Sequence, residues 1–407
     1  MATKPESHPK KIVLAYSGGL DTSVILPWLK DRYPGVKLVA FAAELGQGDE
    51  LKGIEDKARR SGADEVVIKD LRQEFIEKFC FPMLRAQAIY EADYLLGTSI
   101  ARPIIAQYQV LVAQETGADA VGHGATSKGN DQVRFELTYM SLDPTLKIIA
   151  PWKDPTFELR DRESAIDYAK QKGVPVDQSK TKIYSRDRNL WHISHEGADL
   201  ESPANEPKDD LWVMSVPVSK APDEAEYVSI EFERGNPIAV NGKKLPGHTL
   251  VAELNSMGGR HAVGQTQLAE NRLVGMKSRG AYETPGGTIL YEAHKALEQI
   301  CIERDTYHYK QQVALKYAEL VYNGQWFHPL REALQAFVDY TQAAVTGQVK
   351  VKLFKGRATA AGVTSPFSLY DPQLASFSME GYDVTAARGF IDLFGLPMKV
   401  ASQVKRR

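Results

Sequence analysis

The sequence predicts an α/β protein: a parallel sheet covered by helices on both faces, followed by an α+β region and a short helical tail. Three observations predict it. Runs that are apolar throughout alternate with helically spaced segments up to about residue 172, the pattern of strands buried on both faces. Beyond residue 173 the strand-like segments alternate apolar with polar residues, as one-faced antiparallel sheets do. The first apolar run, Ile12-Val13-Leu14-Ala15, ends in a Ser-Gly-Gly loop that opens a helix.

Val24, Ile25, Trp28 and Leu29 carry that first helix at helical spacing. Pro27 falls inside it and, lacking an N–H, is expected to bend the axis unless it lies in the first turn. A strand over 36–43, a helix over 49–61 and a strand over 66–68 continue the alternation. Helical stretches through residue 81 and from 103 to 116 follow, with further short apolar runs at 120–121 and 148–150. Ligands of such sheets bind at the carboxyl ends of the strands.

The pattern changes near Gly173-Val174-Pro175. Val228, Ile230 and Phe232 alternate with Ser229, Glu231 and Glu233, and Gly235-Asn236 and Asn241-Gly242 mark turns, so antiparallel pairing is expected. Ile289, Ala293, Leu297 and Ile300 form one amphipathic helical face, and Leu330, Leu334, Phe337 and Val338 another. Val349, Val351 and Leu353 resume the strand alternation. From about Pro366 the chain is richer in Pro, Ser and Tyr, with a short helix expected over 386–394 whose apolar residues suit docking on another subunit.

At 407 residues the chain exceeds one ordinary core. The division expected is 1–172, 173–365 and a tail over 366–407. A net charge of −2 lacks the basic excess that nucleic-acid phosphates attract. Cys80 and Cys301 are the only cysteines, too few for a disulfide framework or a cysteine-rich zinc site, which fits a reducing compartment. No apolar run is long enough to span a bilayer, and residues 1–10 lack the apolar stretch of a secretory signal, so the cytoplasm is expected.

Two glycine loops can carry chemistry. Ser17-Gly18-Gly19-Leu20-Asp21-Thr22-Ser23 lies between a buried strand and a helix, where unpaired amides and the helix dipole favour anions and glycines allow close approach. It contains no lysine, and the Walker A pattern occurs nowhere, so γ-phosphoryl transfer is not supported. The loop resembles the pyrophosphate-binding loop of the ATP pyrophosphatase superfamily. The second loop, Gly122-His123-Gly124-Ala125-Thr126-Ser127-Lys128-Gly129-Asn130-Asp131, has Ser127 where a dinucleotide fingerprint needs its third glycine, and no clear apolar-periodic helix opens after it. Hydride chemistry is therefore not expected, and the loop offers polar side chains for an amino acid or nucleotide. His192 and His195 lack a third metal ligand at convincing spacing, so a structural or substrate-contacting role is expected.

Four segments together resemble the argininosuccinate synthase family over nearly the whole chain. They are residues 15–23, the run Tyr94-Leu95-Leu96-Gly97-Thr98-Ser99-Ile100-Ala101-Arg102-Pro103, residues 123–136 (HGATSKGNDQVRFE) and residues 275–285 (GMKSRGAYETP). The resemblance implies an ATP-dependent condensation of citrulline with aspartate that gives argininosuccinate, AMP and pyrophosphate through a citrullyl-adenylate, in arginine biosynthesis. It also implies an adenine nucleotide alpha hydrolase-like nucleotide-binding domain, a synthetase domain and a C-terminal arm that holds a homotetramer together.

By the same resemblance, Ala15, Tyr16, Ser17, Gly18, Gly19, Leu20, Asp21, Thr22 and Ser23 bind ATP, with Ala43 on the adenine side and Gly124 reaching the nucleotide from the second loop. Tyr94, Ser99, Asn130, Arg134, Ser185, Ser194, Glu270 and Tyr282 match citrulline positions; Thr126, Asn130 and Asp131 match aspartate positions. Arg134 can fork onto a carboxylate and Glu270 can accept from an ammonium. Asp131 and Arg134 are the catalytic candidates, Asp131 as an orienter of the attacking amine. Mg²⁺ is expected with ATP, although no carboxylate cage is visible and Asp21 is only a weak candidate ligand. Two rival readings are weaker. Other ATP pyrophosphatases, thiolating, lysidine-forming or amidotransferring, want cysteine pairs, a basic surface or a glutaminase nucleophile, and none is evident. A non-catalytic nucleotide-binding relative would be marked by loss of the loop glycines or of Arg134, and all are present.

Overall fold

The computed structural model describes residues 8–126, 129–159, 161–175, 184–376 and 383–407. Ser127, the departure from a dinucleotide fingerprint, lies outside them. In the first half the strands are β1 (Lys11–Ala15), β2 (Lys37–Glu44), β3 (Glu65–Asp70), β4 (Ala120–Gly122) and β5 (Lys147–Ile149). They pair in parallel in the order β3-β2-β1-β4-β5. Ile12, Val13 and Leu14 of β1 are all fully buried, one reason the run is apolar without alternation.

Helices α1 (Leu20–Arg32), α2 (Ile54–Arg60), α3 (Arg72–Glu74), α4 (Phe81–Arg85), α5 (Gly97–Thr116), α6 (Asp131–Leu142) and α7 (Arg162–Lys172) connect and cover these strands. Pro27 lies beyond the first turn of α1, so the Ser23 carbonyl loses its helical donor there. The helix expected over 49–61 is divided: a 3₁₀ turn, Gly48–Leu51, precedes α2, because Gly53 takes a left-handed φ of 71° that no continuous helix allows. A π-helical segment, Phe75–Cys80, joins α3 to α4.

Two further expectations need correction. α5 starts at Gly97 rather than at Pro103, because its first turn, Gly97-Thr98-Ser99, lacks the apolar rhythm that would have revealed it. A helix does open directly after the second glycine loop: α6 buries Gln132, Arg134, Phe135, Thr138 and Tyr139. Its inward face is largely polar, so apolar periodicity could not reveal it.

The second half holds two antiparallel sheets. β6 (Ser185–Arg188), β7 (Ile193–Glu196), β8 (Glu226–Glu233), β9 (Asn236–Val240), β10 (Lys243–Lys244), β11 (Gln265–Asn271), β12 (Lys277–Glu283), β13 (Gly347–Phe354) and β14 (Arg357–Thr364) form sheets in the orders β10-β9-β8-β13-β14 and β11-β12-β7-β6. Three hairpins turn through pairs with positive φ at both central residues, Arg234-Gly235, Asn241-Gly242 and Lys355-Gly356, the twist-matched geometry for two-residue loops. Helices α8 (Gly247–Arg260), α9 (Pro285–Cys301), α10 (Arg304–Tyr322) and α11 (Pro329–Thr341) complete this half.

Val349, Val351 and Leu353 are fully buried on one face of β13, as their alternation predicts. The largest core is continuous across the two halves, joining Phe75, Ile76, Phe79 and Ile100 to Ile230, Leu290 and Val351. Residues 72–116 therefore pack against both the parallel sheet and the second half. The tail carries α12 (Val384–Phe394) and α13 (Leu396–Lys405). Phe390, Leu393, Phe394 and Met398 are exposed there by 64–76%. No helix among the described residues is long and apolar enough to cross a membrane.

Candidate active site

The strand order diverges at β1, whose neighbours β2 and β4 lie on opposite sides. The loops leaving β1 and β4 thus flank a crevice at the carboxyl edge of the sheet, where open α/β sheets hold ligands. In the first loop Gly18 takes a φ of 73°, and the Ser17 and Thr22 hydroxyls sit 3.1 Å apart. Ser23 is buried beneath, 3.0 Å from the Tyr16 hydroxyl, and so supports the loop rather than facing the crevice. A Cβ on Gly124 would stand 3.0 Å from Thr22 Cγ2 and 3.1 Å from Ile25 Cδ1, so only glycine lets the two loops meet without displacement. The loop itself has no lysine, yet Lys57 of α2 donates to the Gly18 carbonyl.

The resulting cavity of about 270 Å³ is lined by Ala15, Tyr16, Ser17, Thr22, Ala43 and Gly124, among others. Gly18, Gly19, Leu20 and Asp21 form the outer turn of the loop, with Gly19 and Asp21 exposed. Gln47, Arg188 and Asn189 also line the cavity, and no sequence motif had pointed to them.

A second cavity, of about 330 Å³, adjoins the first. Tyr94, Thr126, Asn130, Asp131, Arg134, Ser185, Ser194, Glu270 and Tyr282 line it, drawn from segments spread over nearly 190 residues. Ser99 is the exception among the expected citrulline residues. It is fully buried and does not line the cavity, whereas its neighbour Thr98 does. Ser194 and Tyr282 face each other across β7 and β12, which explains how residues so far apart in sequence share one wall.

Buried hydrogen bonds hold this cavity in shape. Asn130 Nδ2 donates to the Tyr322 hydroxyl (2.8 Å), which donates to Glu270 Oε2 (2.5 Å), while the Tyr282 hydroxyl donates to Glu270 Oε1 (2.6 Å). Both carboxylate oxygens are thereby oriented. Tyr322, at the end of α10, belongs to no motif and could not be found from the sequence. Arg134 is 4% exposed; its Nε donates to the Tyr322 carbonyl (3.0 Å) and Nη1 to Asp131 Oδ1 (2.8 Å). The remaining Nη2 edge is the part available to a ligand carboxylate. Burial pushes the Tyr94 phenol up to about 12, so it stays a neutral donor at physiological pH. Burial also raises the Glu196 carboxyl, against the opposing pull of Arg272 and with further lifting by Glu270 and Asp131. Arg272 Nη2 donates to Glu196 at 2.6 Å, and both residues line the second cavity.

Arg102, Gly124, Ala125, Asp131 and Asp187 line both cavities and form the wall between them. Arg102 Nε and Nη2 donate to Asp131 Oδ2 at 3.0 and 2.8 Å, and Nη2 also reaches Asp187 Oδ2 at 2.7 Å. Burial alone would push the Asp131 carboxyl up, but the guanidiniums of Arg102 and Arg134 outweigh it and hold the group below its ordinary value. A carboxylate so stabilised is a poor proton acceptor and a good fixed orienter.

The two histidines face different partners. His192 shares a 2.9 Å hydrogen bond with Thr98 Oγ1, and His195 shares one of 2.9 Å with the fully buried Glu283. Glu283 also accepts from the amides of Val213, Met214 and Ser215 and from the Ser215 hydroxyl. His195 is thus part of a structural staple beside Tyr282. Among the described residues no group of three or more His, Cys, Asp and Glu gathers as a metal cage.

The chain matches two family descriptions, Arginosuccinate synthase N-terminal HUP domain over residues 11–175 and Arginosuccinate synthase C-terminal domain over residues 184–401. It is 57% identical over 398 residues to the argininosuccinate synthase of Carboxydothermus hydrogenoformans, covering 98% of both chains. Identity is also 57% to that of Desulfitobacterium hafniense strain DCB-2, covering 98% of this chain and 99% of the other. The chloroplastic argininosuccinate synthase of Arabidopsis thaliana is 57% identical over 98% of this chain and 80% of its own.

Proposed function

The chain belongs to the argininosuccinate synthase family, and from that premise we propose that its two cavities divide one ligation between them. The enzyme joins citrulline to aspartate in arginine biosynthesis, using ATP. The first cavity takes the nucleotide, with the loop from Ala15 to Ser23 at the pyrophosphate and Ala43 beside the adenine. The second takes the amino acids. Tyr94, Asn130, Arg134, Ser185, Ser194, Glu270 and Tyr282 hold citrulline, and Thr126, Asn130 and Asp131 hold aspartate. Ser99, buried behind Tyr94, supports that ring rather than touching citrulline.

The shared wall carries this reading. A ureido oxygen is a poor leaving group, so it must first be joined to the α-phosphate, and the two reactants must meet at one place. Adenylation at the common wall meets that need: the ureido oxygen bonds to Pα, the bond from Pα to the bridging oxygen breaks, and pyrophosphate leaves with the electron pair. The aspartate amine then attacks the activated carbon and displaces AMP. Holding the reactants in line and stabilising the developing charge together supply the acceleration such a site can offer. Mg²⁺ enters as part of the nucleotide substrate. Among the described residues no three-residue cage would hold it apart from the nucleotide, whose phosphate oxygens would carry it.

We further propose the three-part division 1–172, 173–365 and 366–407, a cytoplasmic location, and a homotetramer held by the tail. The apolar side chains exposed on α12 and α13 support the last point. The test of function is to measure AMP and pyrophosphate release from ATP with citrulline and aspartate, omitting each in turn. Release without either amino acid, or none with both, overturns the assignment.

A further inference from the structure

Among the described residues, Arg102 is the one cationic side chain that lines both cavities. It comes from α5, one residue before the end of the segment that carries Tyr94, and nothing in the ligand pattern above assigns it a role. Its side chain is 15% exposed, which leaves a narrow opening onto the wall where the reactants meet. Asp131 and Asp187 grip two edges of the guanidinium, with Nε and Nη2 bonded at 2.7–3.0 Å. Nη1 makes only one long contact, 3.4 Å to Asp187 Oδ1. Of the five N–H bonds, one on Nη1 therefore has no acceptor among the described residues and a second has a weak one.

A rigid, largely buried cation with one free and one weakly held donor at the seam between nucleotide and amino acid is an arrangement suited to charge on a transferring phosphoryl group. The other positive side chains are placed differently. Arg188 lines only the nucleotide cavity, and Arg134, Arg186 and Arg272 line only the other. We infer that Arg102 is a catalytic residue of the adenylation step, its Nη1 edge binding the non-bridging oxygens of Pα as the ureido oxygen attacks.

In that step the ureido oxygen–Pα bond forms as the bond to the bridging oxygen breaks. Pyrophosphate departs with the electron pair, and the ureido group is left as a cationic O-adenylyl isouronium. Asp131 and Asp187 keep the guanidinium from swinging onto the departing pyrophosphate. Burial alone would favour loss of the Arg102 proton, but its two carboxylates outweigh burial, so the charge is permanent.

This inference rests on the adenylate reading, and the experiment separates the two. Citrulline-dependent exchange of labelled pyrophosphate into ATP, without aspartate, reports the first half-reaction alone. Absence of exchange in the unaltered enzyme would refute the adenylate reading itself. Given exchange, Arg102→Gln is expected to slow it by about 10²–10³-fold, the loss typical of removing one donor to a developing oxyanion, in kcat rather than in the KM for citrulline. Arg102→Lys, which keeps a point charge for Asp131 and Asp187 to pair with, is expected to retain exchange at roughly three- to tenfold below normal, again with the deficit in kcat. The alternative is that Arg102 only positions Asp131. Exchange within threefold of normal in whichever variant folds, together with a raised KM for aspartate, would establish that alternative and overturn the inference.

Discussion

Arg134 and Asp131 show how much a single side chain's role depends on its neighbours. Their 2.8 Å ion pair is buried, and Arg134 is braced further by the Tyr322 carbonyl and by the ring of Tyr322, 5.0 Å from its Cζ. Arg134→Ala is expected to raise the KM for citrulline by about 30-fold or more, about 2 kcal/mol, while ATP affinity changes far less. Steady-state kinetics beside direct nucleotide binding check this; equal loss of both would point to misfolding. His192 and His294 tie stability to pH. Burial pushes their pKa values down to about 3 and about 4, against an ordinary value near 6.5. Below pH 6.5 the unfolded chain takes up protons that the folded one refuses, so stability is full above that pH and falls as the pH drops toward the folded values. Each pKa unit corresponds to about 1.4 kcal/mol, so a loss on the order of a few kcal/mol is expected by pH 5. Urea unfolding at pH 7 and pH 5 measures it. A midpoint that does not fall between the two would refute the neutral, buried state of these rings.

Elements, more than residues, decide where the site lies. α5 begins where it does because Leu96 turns through φ 59° and Gly97 lies against the ring of His192. A Cβ at position 97 would sit 2.1 Å from His192 Cγ, so Gly97→Ala must displace the ring that anchors Thr98. It is expected to cost about 1–3 kcal/mol as overpacking. Gly389→Ala, in the exposed α12 with nothing within 4 Å, is expected to stabilise its helix by about 0.5–1 kcal/mol instead. Thermal melting of the pair checks the contrast; equal effects would mean that the packing at Gly97 is not what fixes it. These elements were unequally legible. β1 and β13 announced themselves because one is buried on both faces and the other on alternate residues. α6 did not, because three of the five side chains it buries are polar: Gln132 donates to the Gly129 carbonyl and Thr138 to the Arg134 carbonyl close by, while Arg134 finds its partner in the distant Tyr322 carbonyl.

For the whole molecule, the open question is what covers the tail. Phe390, Ile391, Leu393, Phe394 and Met398 are all exposed in the single chain, an apolar patch of the kind that marks an interaction surface. Leu393→Glu with Phe394→Glu is expected to convert the tetramer proposed above into smaller species with the site geometry unchanged, as measured by light scattering after size-exclusion chromatography. A unaltered protein that runs as a monomer would refute the tetramer. The sequence by itself determined the alternation of buried strands and helices, the antiparallel second half, the glycine loop at Ser17 to Ser23 between a strand and a helix and, through the family resemblance its contiguous motifs carry, the two substrates. Tertiary structure alone decided that Lys57 reaches the first loop, that Tyr322 joins Asn130 to Glu270, that Ser99 is buried behind its cavity, and that Arg102 stands in the wall between two chambers. The reason is physical. Burial periodicity and turn geometry are written in neighbouring residues, whereas a polar contact depends on where two distant segments come to rest, and Asn130 and Tyr322 are 192 residues apart.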